Sequence, residues 1–168
     1  MTPITPEQIR AGFVNASKRE VAKATLPPLE DLSDSDWEPL AYLGWRDAKL
    51  ESTAYLALEL DGVLRVVLLH RAMEPTVRRK KMCILCEDVV NLDDVSMYSA
   101  ALAGPAGRKG DTIATFICTD FICSANVRRP PTIEAGGVDE EARRYIVERR
   151  VAGLRERSAR FVAQVLGG

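Results

Sequence analysis

Cys83-Ile84-Leu85-Cys86 and Cys118-Thr119-Asp120-Phe121-Ile122-Cys123 hold all four cysteines of the chain, with 31 residues between the two groups. A C-x2-C followed at that distance by a C-x4-C is the spacing of a four-thiolate metal site. Each pair can close on one ion from a single tight turn. Bringing the pairs together fixes everything between them. The intervening sequence reads as a hairpin, with Asp94 to Leu102 as one strand, Gly104 to Gly110 as a turn and Thr112 to Ile117 as the return. Cys118 ends that strand. Thr119 or Asp120 then suits the cap of a short helix through Cys123 to about Val127, which Pro130-Pro131 stops.

Knuckle, hairpin and helix in that order are the order of a treble-clef zinc finger, here over residues 83–128. Zinc favours four tetrahedral ligands in structural sites and takes thiolates readily; iron is the competing ion. Cys83, Cys86, Cys118 and Cys123 fill such a sphere and leave no position for water, so the expected ion is one structural zinc. Two disulfides are the alternative for an exported chain, but Met1-Thr2-Pro3-Ile4-Thr5-Pro6-Glu7 has no basic region followed by an apolar stretch. The expected compartment is the cytoplasm. A zinc deaminase needs H-x-E before P-C-x-x-C, whereas here Arg71-Ala72 follow His70 and Met82 precedes Cys83. A thiol oxidoreductase using Cys83 and Cys86 leaves the second pair without a role. No phosphate-binding glycine motif, nucleophile elbow or histidine-based triad appears, and the expected protein is not an enzyme.

The 168 residues are 46% hydrophobic, enough for one cored domain. Lys plus Arg is 23 and Asp plus Glu is 24, so bulk charge selects no partner. Residues 1–36 read as an N-terminal helix and an acidic linker, and 37–168 as an α/β domain containing the finger. Thr5-Pro6-Glu7-Gln8 opens the helix, which is expected to run to about Ala24. Trp37, Leu40, Tyr42, Leu43 and Trp45 supply packing bulk. Thr53–Leu60 and Val63–Leu69 alternate as strands about the hairpin turn Asp61-Gly62. His70, the one histidine, reads as structural or solvated. A long final helix starts at Asp139-Glu140-Glu141. Val147, Val151, Leu154, Ser158, Phe161 and Val165 form its apolar stripe, and Arg149, Arg155, Arg157 and Arg160 lie off it. The fold class is therefore α+β: an antiparallel sheet of two hairpins, a treble-clef zinc finger, an N-terminal helix and a long C-terminal helix.

Cations cluster near the thiols: Arg78, Arg79, Lys80 and Lys81 before the knuckle, Arg108 and Lys109 at the hairpin tip, Arg128 and Arg129 after the short helix. From 78 to 129 these eight face six acids, a formal +2 before the charge of a four-thiolate zinc centre. They either offset that centre or form a patch for RNA, phosphate or an acidic protein face. Aromatic residues for base stacking are sparse, so sequence-specific reading of nucleic acid is not indicated.

Ile9-Arg10-Ala11-Gly12-Phe13-Val14-Asn15-Ala16-Ser17, Leu43-Gly44-Trp45-Arg46-Asp47, the basic lead-in to Cys83-x2-Cys86, and Gly107-Arg108-Lys109-Gly110-Asp111-Thr112 before Cys118-x4-Cys123 carry a resemblance over most of the chain. The chain resembles the elongation factor G-binding, or FBP, family with a C-terminal treble-clef zinc finger, which includes the fusidic-acid-resistance proteins of the FusB type. The resemblance implies a cytoplasmic, non-enzymatic, translation-associated protein whose finger contacts elongation factor G and helps it leave the ribosome. The family's zinc ligands map onto Cys83, Cys86, Cys118 and Cys123. Resistance proteins carry a helical bundle ahead of the finger domain, where this sequence offers one helix before Trp37. An RNA-binding module working through the basic patch is the competing expectation.

Overall fold

The computed structural model describes residues 1–72, 80–88 and 94–167. Five strands form one antiparallel sheet in sequential order: β1 (Leu43–Arg46), β2 (Thr53–Leu60), β3 (Val63–Arg71), β4 (Val95–Ala101) and β5 (Thr112–Cys118). Asp61 and Gly62 join β2 to β3 with φ of 52° and 74°, the left-handed pair that a tight two-residue hairpin requires. The expected α+β sheet is thus present. β1 is an addition: its four residues are too few to show a period in sequence.

The N-terminal helix expected as one element is two, α1 (Pro6–Gly12) and α2 (Lys18–Lys23). Each starts with a reciprocal capping box, Thr5 with Gln8 and Ser17 with Glu20. The second box is a start signal inside the supposed helix. Between them the chain turns extended and docks on the sheet. Phe13 bridges Val66 in parallel, and the Val14 N–H donates to the Val66 carbonyl at 3.0 Å. The Asn15 amide donates to the carbonyls of Leu68 and Ala101, both at 3.0 Å, and accepts from the Leu68 N–H at 2.8 Å. β3 and β4 pair through His70–Ser99 and Arg71–Tyr98, so Asn15 supplies the bonds these strands lack beyond that point. The acidic stretch expected as a linker or helix rim carries the short α3 (Asp34–Trp37), capped by Ser33 with Asp36.

α4 (Gly104–Arg108) replaces the expected plain turn between β4 and β5 with one helical turn. α5 (Cys123–Asn126) and α6 (Ile133–Gly136) lead to α7 (Glu140–Leu166), capped by Asp139. No helix among the described residues is long and apolar enough to cross a membrane.

The sheet separates two cores because strand side chains alternate. Ile9, Trp37, Trp45, Tyr55, Val66 and Leu68 pack on the N-terminal side. Leu56, Leu69, Tyr98 and Ile117 pack on the other, against Leu154, Phe161, Val162 and Val165 of α7 and against all four cysteines. The expected stripe on α7 is buried from Leu154 onward; Val147 and Val151 are half-buried.

Candidate metal centre

The four cysteine sulfurs are buried and lie within 4.8 Å of one another. Cys83 and Cys123 are 3.5 Å apart, Cys86 and Cys118 3.6 Å. A disulfide needs about 2.05 Å, so these are four free thiols. Both of these contacts run between the two motifs, which interleave around a common centre. A tetrahedral ion about 2.3 Å from each sulfur would space the sulfurs roughly 3.8 Å apart. Donor set, spacing and burial therefore fit a closed four-thiolate metal site held by Cys83, Cys86, Cys118 and Cys123, and its chemistry would be structural.

Local backbone geometry builds each half. The Glu87 N–H returns to the Cys83 carbonyl at 2.9 Å, and Glu87 takes a φ of 52° to close the knuckle. The Ile84 N–H donates to the Phe116 carbonyl at 2.9 Å, which pins the knuckle to β5. In the second turn the Phe121 N–H reaches the Cys118 carbonyl at 3.0 Å, with φ of 58° at Phe121. The expected cap by Thr119 or Asp120 does not form: Ile122 occupies the cap position of α5 without a side-chain bond. Thr119 instead bonds the Ser96 hydroxyl at 2.9 Å, and Asp120 pairs with Arg46 at 3.2 Å.

Two side chains outside the ligand set address the sulfurs. The Asn126 amide donates to Cys118 at 3.5 Å and to Cys86 at 3.8 Å, one sulfur from each motif. The Tyr42 hydroxyl is buried beside Cys123. Burial, and then neighbouring Cys123, push it well above its ordinary range. Within the cluster, Cys83 is held well below the usual thiol range by hydrogen bonds from Cys118 and Cys123. Cys123 is pushed well above it, bonded to Cys118, Cys83 and Cys86. A metal takes all four as thiolates, so its binding releases protons.

A sequence profile described as FBP C-terminal treble-clef zinc-finger matches residues 8–165. The chain belongs to this family. Neither a curated protein nor a solved structure matches it. The four-cysteine cluster and its knuckle, hairpin and helix are thus the treble clef of an FBP finger.

Within this FBP finger the expected basic frame is not continuous. Arg78 and Arg79 lie outside the described residues. Lys80 is exposed, and the Lys81 ammonium sits 5.4 Å from the Phe116 ring centroid. Arg108 ends α4 and Lys109 caps it, at the opposite end of the hairpin. Seven residues of β5, at about 3.3 Å each, place them roughly 20 Å from Cys118. The structure therefore does not bring them to the sulfurs. Arg128 donates to the Ser124 carbonyl at 2.8 Å, and Arg129 pairs with Asp88 at 3.3 Å.

Arginines of α7 brace the finger and the segment that follows it. Arg143, Arg150 and Arg157 recur every seven residues on α7. Each donates to a backbone carbonyl of another segment: Gly137 at 3.3 Å, Arg129 at 3.2 Å and Leu85 at 2.8 Å. Arg157 also pairs with Glu87 at 3.0 Å. Arg157, which the sequence placed only off the apolar stripe, is a clamp on the knuckle; the heptad spacing of the three arginines was the available signal. Beside the clamp a cleft of about 490 Å³ is lined by Arg129, Arg149, Arg150 and Arg157 together with Glu87 and Asp88.

Proposed function

We propose that this FBP finger is a non-enzymatic adaptor, stabilised by one structural zinc ion, that binds elongation factor G or the ribosome in the cytoplasm. The observation that carries the reading is the closed sulfur cluster. Four buried thiols consume the tetrahedral sphere, so the metal has no site for substrate and its role is to hold a surface in shape. The resemblance of the first-helix, Leu43–Asp47 and hairpin motifs to elongation factor G-binding proteins names the partner. The mechanism is binding energy used to shift a bound factor between states. A pull-down from cell lysate with zinc-loaded protein, with and without nuclease, tests it. Recovery of elongation factor G that survives nuclease supports the adaptor. Recovery of ribosomal RNA alone, lost on nuclease, removes it.

The arginine-lined cleft favours a second reading, direct contact with RNA phosphate. Two of its four guanidiniums are already paired with Asp88 and Glu87, which leaves the adaptor as the stronger reading. Salt separates the two. RNA affinity should fall steeply with ionic strength, whereas an apolar-centred protein interface should weaken less.

A further inference from the structure

The N-terminal layer covers only part of the sheet face that carries Val66 and Leu68. It packs over β1 to β3. The same face continues onto β4 and β5, because His70 pairs with Ser99 and side chains alternate. There Met97 stands directly opposite Phe116, and Ser99 opposite Ala114. Met97 and Phe116 are 39% and 38% exposed. The knuckle extends the surface with Met82 and Ile84, 50% and 51% exposed. Ile84 is hydrogen-bonded through its backbone to Phe116, so strand pair and knuckle are contiguous. Single exposed apolar residues are ordinary, but Met97, Phe116 and Ile84 adjoin one another, with Met82 two residues before Ile84 in the chain, and such a group marks an interaction surface.

Charge selects the occupant. Lys80 and Lys81 lead into the patch, with Lys81 held over the Phe116 ring and Lys80 open to solvent. An apolar centre with a cationic edge complements a protein surface that offers an apolar knob beside carboxylates. RNA is the poorer fit, since one aromatic ring among methionines and an isoleucine gives no series of stacking platforms. Methionines also adapt their shape to a partner. We propose that Met82, Ile84, Met97 and Phe116, edged by Lys80 and Lys81, form the docking face of this finger for an acidic, apolar-centred protein surface. The inference rests on the adaptor reading and locates its contact.

The test places a photo-crosslinking phenylalanine analogue at position 97 of the full zinc-loaded chain in cells, and at position 145, exposed on α7, for comparison. The expected product joins position 97 to an Asp- and Glu-rich segment of elongation factor G, identified by mass spectrometry. Paired changes Met97→Ser with Phe116→Ser, and Lys80→Glu with Lys81→Glu, should each weaken binding at least about tenfold at unchanged metal content. The crosslink keeps the test valid if a double variant folds poorly. Capture of elongation factor G from 145 and not from 97 keeps the adaptor and overturns this face. Capture from 97 of a different identified protein, through an acidic segment, upholds the face and removes elongation factor G as the partner. A crosslink from 97 only to a second copy or to RNA, or none at all, overturns the face.

Discussion

Asn126 and Tyr42 show how much of this site lies outside its four ligands. Asn126 ties one sulfur of each motif to a single amide, and Tyr42 buries its hydroxyl beside Cys123. Outer-shell groups of this kind set metal retention. Asn126→Leu should therefore speed zinc transfer to a competing chelator by about 10- to 100-fold, and Tyr42→Phe by a smaller factor. Stopped-flow absorbance of the chelator complex reads both. Cys123→Ala should abolish stoichiometric metal, measured by elemental analysis. Asp47 is the matching residue on the other side of the sheet. One oxygen accepts from the Thr25 N–H at 3.0 Å and the Tyr55 hydroxyl at 2.7 Å, the other from the N–H groups of Lys49 and Leu50 at 2.8 and 3.1 Å. Burial alone would raise its carboxyl, but bonds from Thr25, Tyr55 and Lys49 outweigh that and hold it below the usual range. A lowered folded value means stabilisation that is complete above the unfolded value of 3.8 and lost as pH falls through the folded one. Asp47→Asn should thus cost about 1–3 kcal/mol at pH 7, and the difference from the parent should shrink below pH 4. Urea unfolding across that range measures it. The cysteines were legible because their spacing is local. Asn15 and Asp47 were not: Asn15 bonds only backbone groups of distant Leu68 and Ala101, and Asp47 joins Thr25 and the Tyr55 hydroxyl to its neighbours Lys49 and Leu50, pairings that no local spacing announces.

Among the elements, β1 does the most with the fewest residues. Leu43, Trp45 and Asp47 face the N-terminal layer, where the Trp45 indole donates to the Thr25 carbonyl at 2.9 Å and its ring stacks 5.0 Å from Tyr55. Gly44 and Arg46 face the finger, Arg46 through Asp120 and Gly44 through the Phe121 ring. A Cβ on Gly44 would stand 2.5 Å from that ring. Gly44→Ala should destabilise the protein by about 1–3 kcal/mol, and adding Phe121→Leu should recover part of the loss. Chemical denaturation of the two variants decides this. Both hairpins and the closing helix were readable, since alternation, Asp61-Gly62 and a four-and-three stripe are strong periodic signals. The break between α1 and α2 was marked only by the Ser17–Glu20 box; its cause, the tertiary bonds of Phe13-Val14-Asn15 to β3 and β4, is not local. β1 was hidden by its length.

For the whole molecule the division into two cores predicts an uneven response to chelation. Every sulfur belongs to the core under α7, and none to the core under the N-terminal layer. Structural zinc in finger peptides contributes about 10–16 kcal/mol, comparable to a domain's entire stability. Removing it should deprotect the knuckle, β5 and α5 in hydrogen exchange, while α1 and β1 to β3 retain protection longest. Equal loss throughout would mean that the two cores unfold as one unit. The strand order carries a further consequence. Each strand pairs with the one made just before it, so a chain emerging from its N-terminus never waits for a later strand to complete an earlier pair. The N-terminal layer with β1 to β3 can collapse before Cys83 exists, and the metal is then a late arrival that locks an already started fold. During synthesis, zinc scarcity should leave a half-built protein with a sound beginning and a loose end, the part that proteases would find first.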